Sequence, residues 1–341
     1  MRNGRSQNWL ALLCFLLIFS SYGTAFGDET GRPDLPIHVR RVLKWLPEDT
    51  ETVVASQSFR WPTAAQCRTF RTQLQFFGRL LPLSDVANLE SGKYLQPLAG
   101  RKVSLALRGS RNYETVSKFG TQRNEGCLIA IFETDLDSAA DEWVGALRAG
   151  ATKVEKIAGR EIFVFPSTTW MPGHDIERWQ GTFLALLPPE TVLCASSYTY
   201  LEELLSRADG NAAKRALPDD LPEWKYVDTA ASAWMLRRVP EACSGRLIDG
   251  VVWSLTNAKI EITYVPLPAR SDNVEGQVRG AWNAGWLETK FNVKLKAEIH
   301  RSQDGTVSVS ASTGQLDSHG HSTFRFSLHQ LQAENGSVGN Q

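Results

Sequence analysis

Short strand-like runs separated by turn residues are the feature that most constrains the fold of this 341-residue chain. The first half holds apolar runs of strand length at Val103–Leu107, Cys127–Phe132, Gly181–Leu187 and Thr191–Ala195. Residues 153–165 predict a hairpin that turns at Ala158-Gly159. Because consecutive strands joined by tight turns pair antiparallel, these runs predict antiparallel sheets.

The second half is richer in strand-like runs. Lys294–Ile299 and Thr306–Ser310 alternate polar and apolar residues, and Asp304-Gly305 between them is a strong short hairpin signal. Further strands are predicted over Lys225–Leu236, Gly250–Leu255, Lys259–Val265, Phe291–His300 and Ser322–Leu331.

Three helices are predicted between the strands. The first is expected over residues 63–81, with Thr63 as N-cap and an apolar stripe of Cys67, Phe70, Leu74, Phe77 and Leu81. A second begins at Asp137 or Ser138 and ends at Gly150. A third is opened by a capping box of Thr199 and Glu202. The predicted fold class is α+β, with mainly antiparallel sheets and a few amphipathic helices.

An internal echo favours two related α+β halves. Leu46-Pro47-Glu48-Asp49 leads into one strand-like run, and Leu217-Pro218-Asp219-Asp220 leads into another. The alternative is that Leu-Pro-acid is a common way into a strand. The predicted organisation is a leader over 1–27, an N-terminal unit over 28–212, a C-terminal strand-rich unit over 213–331 and a flexible tail over 332–341.

Two short motifs resemble those of an uncharacterised family of exported bacterial proteins. Leu46-Pro47-Glu48-Asp49-Thr50 is similar to the Leu-Pro-x-Asp-Thr segment that opens a strand in that family. Cys194-Ala195-Ser196-Ser197, followed by Tyr200-Leu201-Glu202, resembles its strand-to-helix junction. The resemblance covers residues 42–240. It implies export and this fold, and it brings no catalytic residues.

The first 27 residues have the layout of a secretory signal peptide. Arg2 and Arg5 precede the unbroken apolar run Trp9–Phe19, and small and polar residues follow as far as Gly27. Cleavage is predicted between Gly27 and Asp28, which gives an exported protein, periplasmic or extracellular. The alternative is an uncleaved N-terminal anchor, although the apolar run is shorter than the roughly 20 residues that span a bilayer. No membrane span is expected in the mature chain.

The charge balance argues against nucleic acid as a partner. The chain has 37 basic and 37 acidic side chains, so loss of Arg2 and Arg5 with the leader leaves 35 against 37, a net charge of −2. Nucleic-acid binders carry a basic stripe or a high pI, and this sequence shows neither. The expected partner is an unknown protein or glycan in the cell envelope.

Four cysteines follow the leader: Cys67, Cys127, Cys194 and Cys243. An oxidising compartment permits disulfides, and four cysteines allow three pairings that sequence alone does not separate. Cys127 and Cys194 lie in apolar strand-like runs, where a free cysteine behaves as a small buried hydrophobe. Buried free thiols are therefore the favoured interpretation.

Residues 168–180 are the candidate binding loop. The segment joins two strand pairs, is too polar for the core, and holds the candidate residues Trp170, His174, Asp175, Arg178 and Trp179. The alternative is a surface loop pinned by its two tryptophans. His319, His321 and His329 come nearest to a metal site, but one strand would hold the last two about 26 Å apart. No metal is therefore predicted.

No catalytic or cofactor motif is recognisable. The sequence lacks a Gly-x-Ser-x-Gly elbow, a His-Glu-x-x-His helix, a phosphate loop and a Gly-x-Gly-x-x-Gly turn. No catalytic residue and no cofactor are assigned. The favoured hypothesis is a non-enzymatic binding or envelope-interaction protein that uses a sheet face or the 168–180 loop. The alternative is an exported hydrolase whose acid and base residues come together from distant positions.

Overall fold

A computed structural model describes residues 35–61, 98–114, 122–133, 137–166, 181–187, 190–211, 214–239, 247–256, 259–283 and 297–312. These ranges form twelve β-strands and four α-helices, and they divide into an N-terminal unit that ends at Pro218 and a C-terminal unit that begins at Asp219. The structure is mostly antiparallel sheet. None of the helices in these ranges is long and apolar enough to cross a bilayer.

Several sequence-based predictions concern residues outside the described ranges. They are the leader with its cleavage site at Gly27 and Asp28, the helix over 63–81, the 168–180 loop, His319, His321 and His329, the strand Ser322–Leu331, the tail over 332–341, and Cys67 and Cys243. These features stay predictions.

The N-terminal unit contains a three-strand meander followed by a helix and a second, returning set of strands. Its elements are α1 (Ile37–Trp45), β1 (Thr52–Arg60), β2 (Lys102–Glu114), β3 (Gln122–Phe132), α2 (Asp137–Gly150), β4 (Lys153–Ile157), β5 (Arg160–Pro166), β6 (Gly181–Leu187), β7 (Thr191–Ala195) and α3 (Tyr198–Ser206). The strand order is β1-β2-β3-β7-β6-β5-β4. All neighbouring pairs are antiparallel, so β7 returns beside β3.

The central strands of this unit are buried on both faces. Every residue of Cys127–Phe132 and Thr191–Ala195 is at most 4% exposed. Both sequences are continuous apolar runs rather than alternating ones, which is the pattern of strands covered on both sides. Helix α2 contacts β5 and helix α3 contacts β7.

The C-terminal unit repeats the meander with a shorter return. Its elements are a 3₁₀ segment (Pro222–Tyr226), β8 (Ala233–Arg238), β9 (Ile248–Leu255), β10 (Lys259–Pro266), α4 (Ser271–Asn283), β11 (Glu298–Arg301) and β12 (Val307–Ser312). The strand order is β11-β12-β10-β9-β8, again with antiparallel pairs. Strand β12 therefore returns beside β10.

The two faces of the C-terminal sheet differ in polarity. One face packs under α4 in an apolar cluster that contains Ile262, Tyr264, Val274, Val278, Val307 and Val309. Alternate residues of the same strands, among them Glu261, Thr263 and Ser308, belong to the opposite face because side chains alternate along a strand. One sheet face is thus covered by a helix, and the other is polar.

Most of the predicted strands that fall in the described ranges are confirmed. The 153–165 hairpin turns at Ala158 and Gly159, both with positive φ (49° and 79°), and Gly305 in the second hairpin has a φ of 85°. The prediction for Lys225–Leu236 is wrong at its start, because the 3₁₀ segment runs to Tyr226 and β8 begins only at Ala233.

The helix predictions need one correction and two additions. Helix α3 begins at Tyr198, and its N-cap is Ser197 rather than Thr199, since the Ser197 hydroxyl accepts a hydrogen bond from the backbone N–H of Tyr200. Helices α1 and α4 were not predicted. Cys127 and Cys194 are both buried, and Cys127 is a free cysteine.

Candidate functional site

A polar cleft of about 230 Å³ lies on the C-terminal unit. Six of its lining residues are serine or threonine: Ser254, Thr256, Thr263, Ser302, Thr306 and Ser308. Tyr226, Asp228, Lys259 and Glu261 complete the lining, which therefore contains no purely aliphatic side chain. The cleft is partly open to solvent.

Strand register explains why these side chains meet. Glu261 of β10 lies opposite Ser254 of β9, and Thr263 of β10 lies opposite Ser308 of β12. Cross-strand partners point to the same face, so three neighbouring strands each contribute polar side chains to the face opposite α4. The floor of the cleft is thus a consequence of the alternating sequences of β10 and β12.

One wall of the cleft is a charged cluster around Asp304. Its Oδ2 accepts hydrogen bonds from the Tyr226 hydroxyl at 2.5 Å and from Lys225 Nζ at 3.0 Å. Its Oδ1 accepts from the backbone N–H and the hydroxyl of Thr306, at 3.1 and 2.8 Å. These four donors hold the cleft wall in one arrangement.

The pKa values of this cluster move away from neutrality. The hydrogen bond from Tyr226, supported by those from Thr306 and Lys225, holds the pKa of Asp304 well below its usual range. Burial, together with the hydrogen bond to the Asp304 carboxylate, raises the pKa of Tyr226. Hydrogen bonds to Tyr226 and Asp304 raise the pKa of Lys225. At neutral pH the cluster therefore holds a carboxylate, an ammonium and a neutral phenol.

The floor of the cleft combines satisfied and available polar groups. Thr263 and Ser308 share a hydrogen bond of 3.1 Å between their hydroxyls, and Lys259 Nζ lies 2.9 Å from a Glu261 carboxylate oxygen. The hydroxyls of Ser254 and Ser302 make no hydrogen bond to any residue in the described part of the chain. These two groups are available to a ligand as donors and acceptors.

The N-terminal unit has a second polar cluster, centred on the buried Arg111. Its guanidinium contacts Glu125 Oε2 at 2.9 Å, Asp49 Oδ1 at 3.0 Å and Glu203 Oε2 at 3.0 Å. Glu125 is also buried, and its other oxygen accepts a hydrogen bond from the Ser197 hydroxyl at 2.6 Å. Burial opposes the charge on Arg111, but the nearby carboxylates of Asp49 and Glu125 prevail and raise its pKa.

The two short motifs Leu46–Thr50 and Cys194–Glu202 both contribute side chains to this cluster. Asp49 belongs to the first motif, and Ser197 and Tyr200 belong to the second. The Arg111 guanidinium lies 4.6 Å from the Tyr200 ring centroid, a cation–π distance. Burial raises the pKa of Tyr200, and it also raises the pKa of Cys127, whose sulfur lies 3.8 Å from the Tyr200 hydroxyl, to about 11. Residues of the two motifs therefore help to connect the turn before β1, strands β2 and β3, and the start of α3.

The site predicted from sequence and the cleft found in the structure involve different residues. Trp170, His174, Asp175, Arg178 and Trp179 all lie outside the described ranges. The cleft residues were missed because serine and threonine carry no distinctive motif and are spread from 226 to 308. The polar–apolar alternation of β10 and β12 is the signal that could have indicated a polar face. Among described residues, no group of three potential metal ligands occurs.

No family model matches this chain, and the comparisons with curated proteins and with solved structures also find no match. The function is therefore inferred from the chemistry of the polar cleft and of the Arg111 cluster.

Proposed function

We propose that the protein is an exported, non-enzymatic binding protein and that the polar cleft of its C-terminal unit is the binding site. The observation that carries this proposal is the cleft lining, in which polar side chains from β9, β10, β12 and the 3₁₀ segment converge. Small-ligand sites are usually concave and combine apolar contact surface with a few convergent polar groups that fix the ligand. The ligand is expected to be a component or partner of the cell envelope.

The charge states of the cleft favour binding over catalysis. A general acid or base works best when its pKa lies near the operating pH. Asp304 and Tyr226 have pKa values shifted in opposite directions, both away from neutrality. These shifts support a preorganised binding wall more than the proton transfer that an exported hydrolase would require.

Thermal-shift screening with polar small molecules tests the binding site. A ligand that binds the folded protein raises its Tm by mass action. We expect a Tm increase for the native chain that is lost in Ser254→Tyr, which fills the cleft, and retained in Thr152→Tyr, an exposed position in the N-terminal unit. A ligand that stabilises all three proteins equally would place binding elsewhere.

We also propose that residues 1–27 direct export and are removed. The cationic start, apolar run and small residues before Asp28 support this proposal. N-terminal sequencing of protein recovered from the native host is expected to begin at Asp28. A protein that retains Arg2 and fractionates with membranes would instead support the N-terminal anchor.

Shared topology supports a common origin of the two units. Each has a three-strand meander, a helix, and a return in which the last strand pairs beside the third, as β7 does with β3 and β12 with β10. The Leu-Pro-acid echo does not support it, because Leu46 has a φ of −69° whereas Leu217 has a φ of 49°. An experimental structure tests the idea: α2 and α4 should lie on the same face of their respective meanders.

A further inference from the structure

We infer, on the basis of the proposed binding function, that the cleft takes a single neutral sugar unit. Such a ligand presents hydroxyl groups that both donate and accept hydrogen bonds, and it carries no charge that needs a counter-ion. The cleft is complementary to such a ligand in its hydrogen-bonding groups, its charges, its Tyr226 wall and its volume.

The hydrogen-bonding groups of the cleft suit a polyhydroxylated ligand. The Ser254 and Ser302 hydroxyls are both donors and acceptors, and neither is used by another described residue. Thr263 and Ser308 share one hydrogen bond between their hydroxyls, and the lone pairs not used in it can accept hydrogen bonds from a ligand. Asp228 accepts the backbone N–H of Ala230 through Oδ1, and its second oxygen adds an acceptor. A ligand that only accepts or only donates would leave part of this set unpaired.

The two lysines at the cleft, Lys225 and Lys259, are already paired with carboxylates within the protein. Lys259 is paired with Glu261 at 2.9 Å, and Lys225 is paired with Asp304 at 3.0 Å. Asp228 adds a negative charge to the lining. An anionic ligand would meet no unpaired cation among the lining residues and would be repelled by this carboxylate. Phosphorylated and carboxylated ligands are therefore disfavoured.

The Tyr226 wall gives the cleft a rigid amphipathic surface. The phenol is fixed at its hydroxyl by Asp304 and is approached by Lys225 Nζ at 4.6 Å from the ring centroid. A tyrosine held in this way supplies contact area at low cost in conformational entropy. Its ring supplies apolar contact area for the C–H groups of a sugar, while the serine and threonine hydroxyls suit the sugar's O–H groups.

The size of the cleft limits the ligand to one unit. Pockets for drug-sized molecules occupy about 300–1,000 Å³, and this cleft has a volume of about 230 Å³. Because the cleft is partly open, a longer glycan would place one residue inside it and continue into solvent. The cleft therefore fits a single sugar residue, free or as part of a glycan.

Saturation-transfer NMR with free monosaccharides tests the inference. The probes are glucose, galactose, mannose and N-acetylglucosamine, with glucose 6-phosphate as the anionic counterpart and glucosamine as the cationic one. We expect at least one neutral sugar to bind the full-length protein, and glucose 6-phosphate to bind less well than glucose. Ser254→Ala and Asp228→Asn should each lower the affinity for the sugar about fivefold, the typical effect of losing one hydrogen bond.

Controls separate the two proposals. Glu298→Gln, an exposed change on β11 outside the cleft, should leave sugar binding unchanged. Circular dichroism identifies any variant that has failed to fold, and Ser254→Tyr then serves as a second cleft variant. If only glucose 6-phosphate or glucosamine binds, and Ser254→Ala weakens it, the sugar inference fails while the binding function stands. If no probe binds in a cleft-dependent way and the thermal-shift screen is also negative, both fail.

Discussion

The two units differ in where their polar side chains lie: the N-terminal unit buries and pairs them, and the C-terminal unit presents them in an open cleft. In the N-terminal unit β3 and β7 are buried on both faces, and the buried Arg111 satisfies its charge within the protein. In the described part of the C-terminal unit a helix covers only one sheet face, and hydroxyl groups line a cleft on that unit. A similar strand order thus supports a closed scaffold in one unit and a ligand-accessible surface in the other.

The difference shows where a polar group stabilises the fold and where it remains available for recognition. A buried charge that loses its partner is costly, so the Arg111 cluster is expected to be sensitive to substitution. Exposed polar side chains contribute little to stability. The exposed cleft residues Asp228 and Lys259 are therefore expected to tolerate change without unfolding, whereas Thr263 and Thr306 are buried.

The largest effect is expected from Arg111→Met. This change leaves the carboxylate of Glu125, which is 8% exposed, without its cation, and it should lower the free energy of unfolding by about 3–5 kcal/mol. Urea denaturation followed by circular dichroism measures the loss. The matched control is Arg148→Met, because the Arg148–Glu161 pair is exposed and should contribute less than about 1 kcal/mol. Equal losses for the two variants would remove the contrast between buried and open polar groups.

Gly109→Ala is expected to have the next largest effect. A Cβ at this position would meet Leu46 Cδ2 at 2.9 Å and Cys127 Sγ at 3.2 Å, and all three residues are buried. Overpacking should lower the unfolding free energy by about 1–3 kcal/mol. Gly145→Ala on α2 is the control and should not destabilise the protein, because an added Cβ would have no packing neighbour within 4 Å. A neutral Gly109→Ala would show that the scaffold has more room than its burial indicates.

Asp304→Asn should produce a smaller, pH-dependent effect. Because the folded pKa of Asp304 lies below its unfolded value, its carboxylate stabilises the folded protein at neutral pH, and this contribution is lost as the pH falls below about 4. The variant should be less stable by about 1 kcal/mol at neutral pH, since the pair is largely exposed. Urea denaturation across this pH range should show the difference shrinking toward acid. A difference that grows on acidification would contradict the arrangement of the cleft wall.

The smallest effect is a stabilisation by Gly276→Ala on α4. The glycine has helical geometry and open space around its Cβ position, so alanine should raise the unfolding free energy by about 0.5–1 kcal/mol. Thermal denaturation measures the change. Gly100→Ala serves as the opposite case, because its surroundings are equally open but its φ of 79° disfavours alanine. If Gly276→Ala destabilised the protein, α4 would have a neighbour on that face.

The sequence predicted the strands better than the helices. Strand runs such as Cys127–Phe132 stand out as short continuous apolar segments, and the structure confirms this one within β3. Helix α4 was missed because Gly276 and Gly280 lower its helix propensity, and among its described side chains only Val274 and Val278 are buried. Its helical form depends on packing against the sheet, which a propensity argument does not include.

The candidate site was less predictable than the fold. Asp304-Gly305 was recognised as a hairpin turn, yet nothing local indicated that Asp304 would accept hydrogen bonds from Tyr226 and Lys225, 78 and 79 residues earlier. The segment that holds these two residues was predicted as a strand, and the structure makes it a 3₁₀ turn. Only that turn makes Tyr226 a wall of the cleft.

The sequence by itself carries the local pattern that distinguishes strands buried on both faces from strands with one polar face. Continuous apolar runs and alternating runs differ in their local pattern, and burial follows from that pattern. Tertiary structure decided which polar groups meet, such as Arg111 with Glu203, 92 residues apart, and Thr263 with Ser308. The physical reason is that periodicity reports on neighbours along the chain, whereas strand order and register set the neighbours in space.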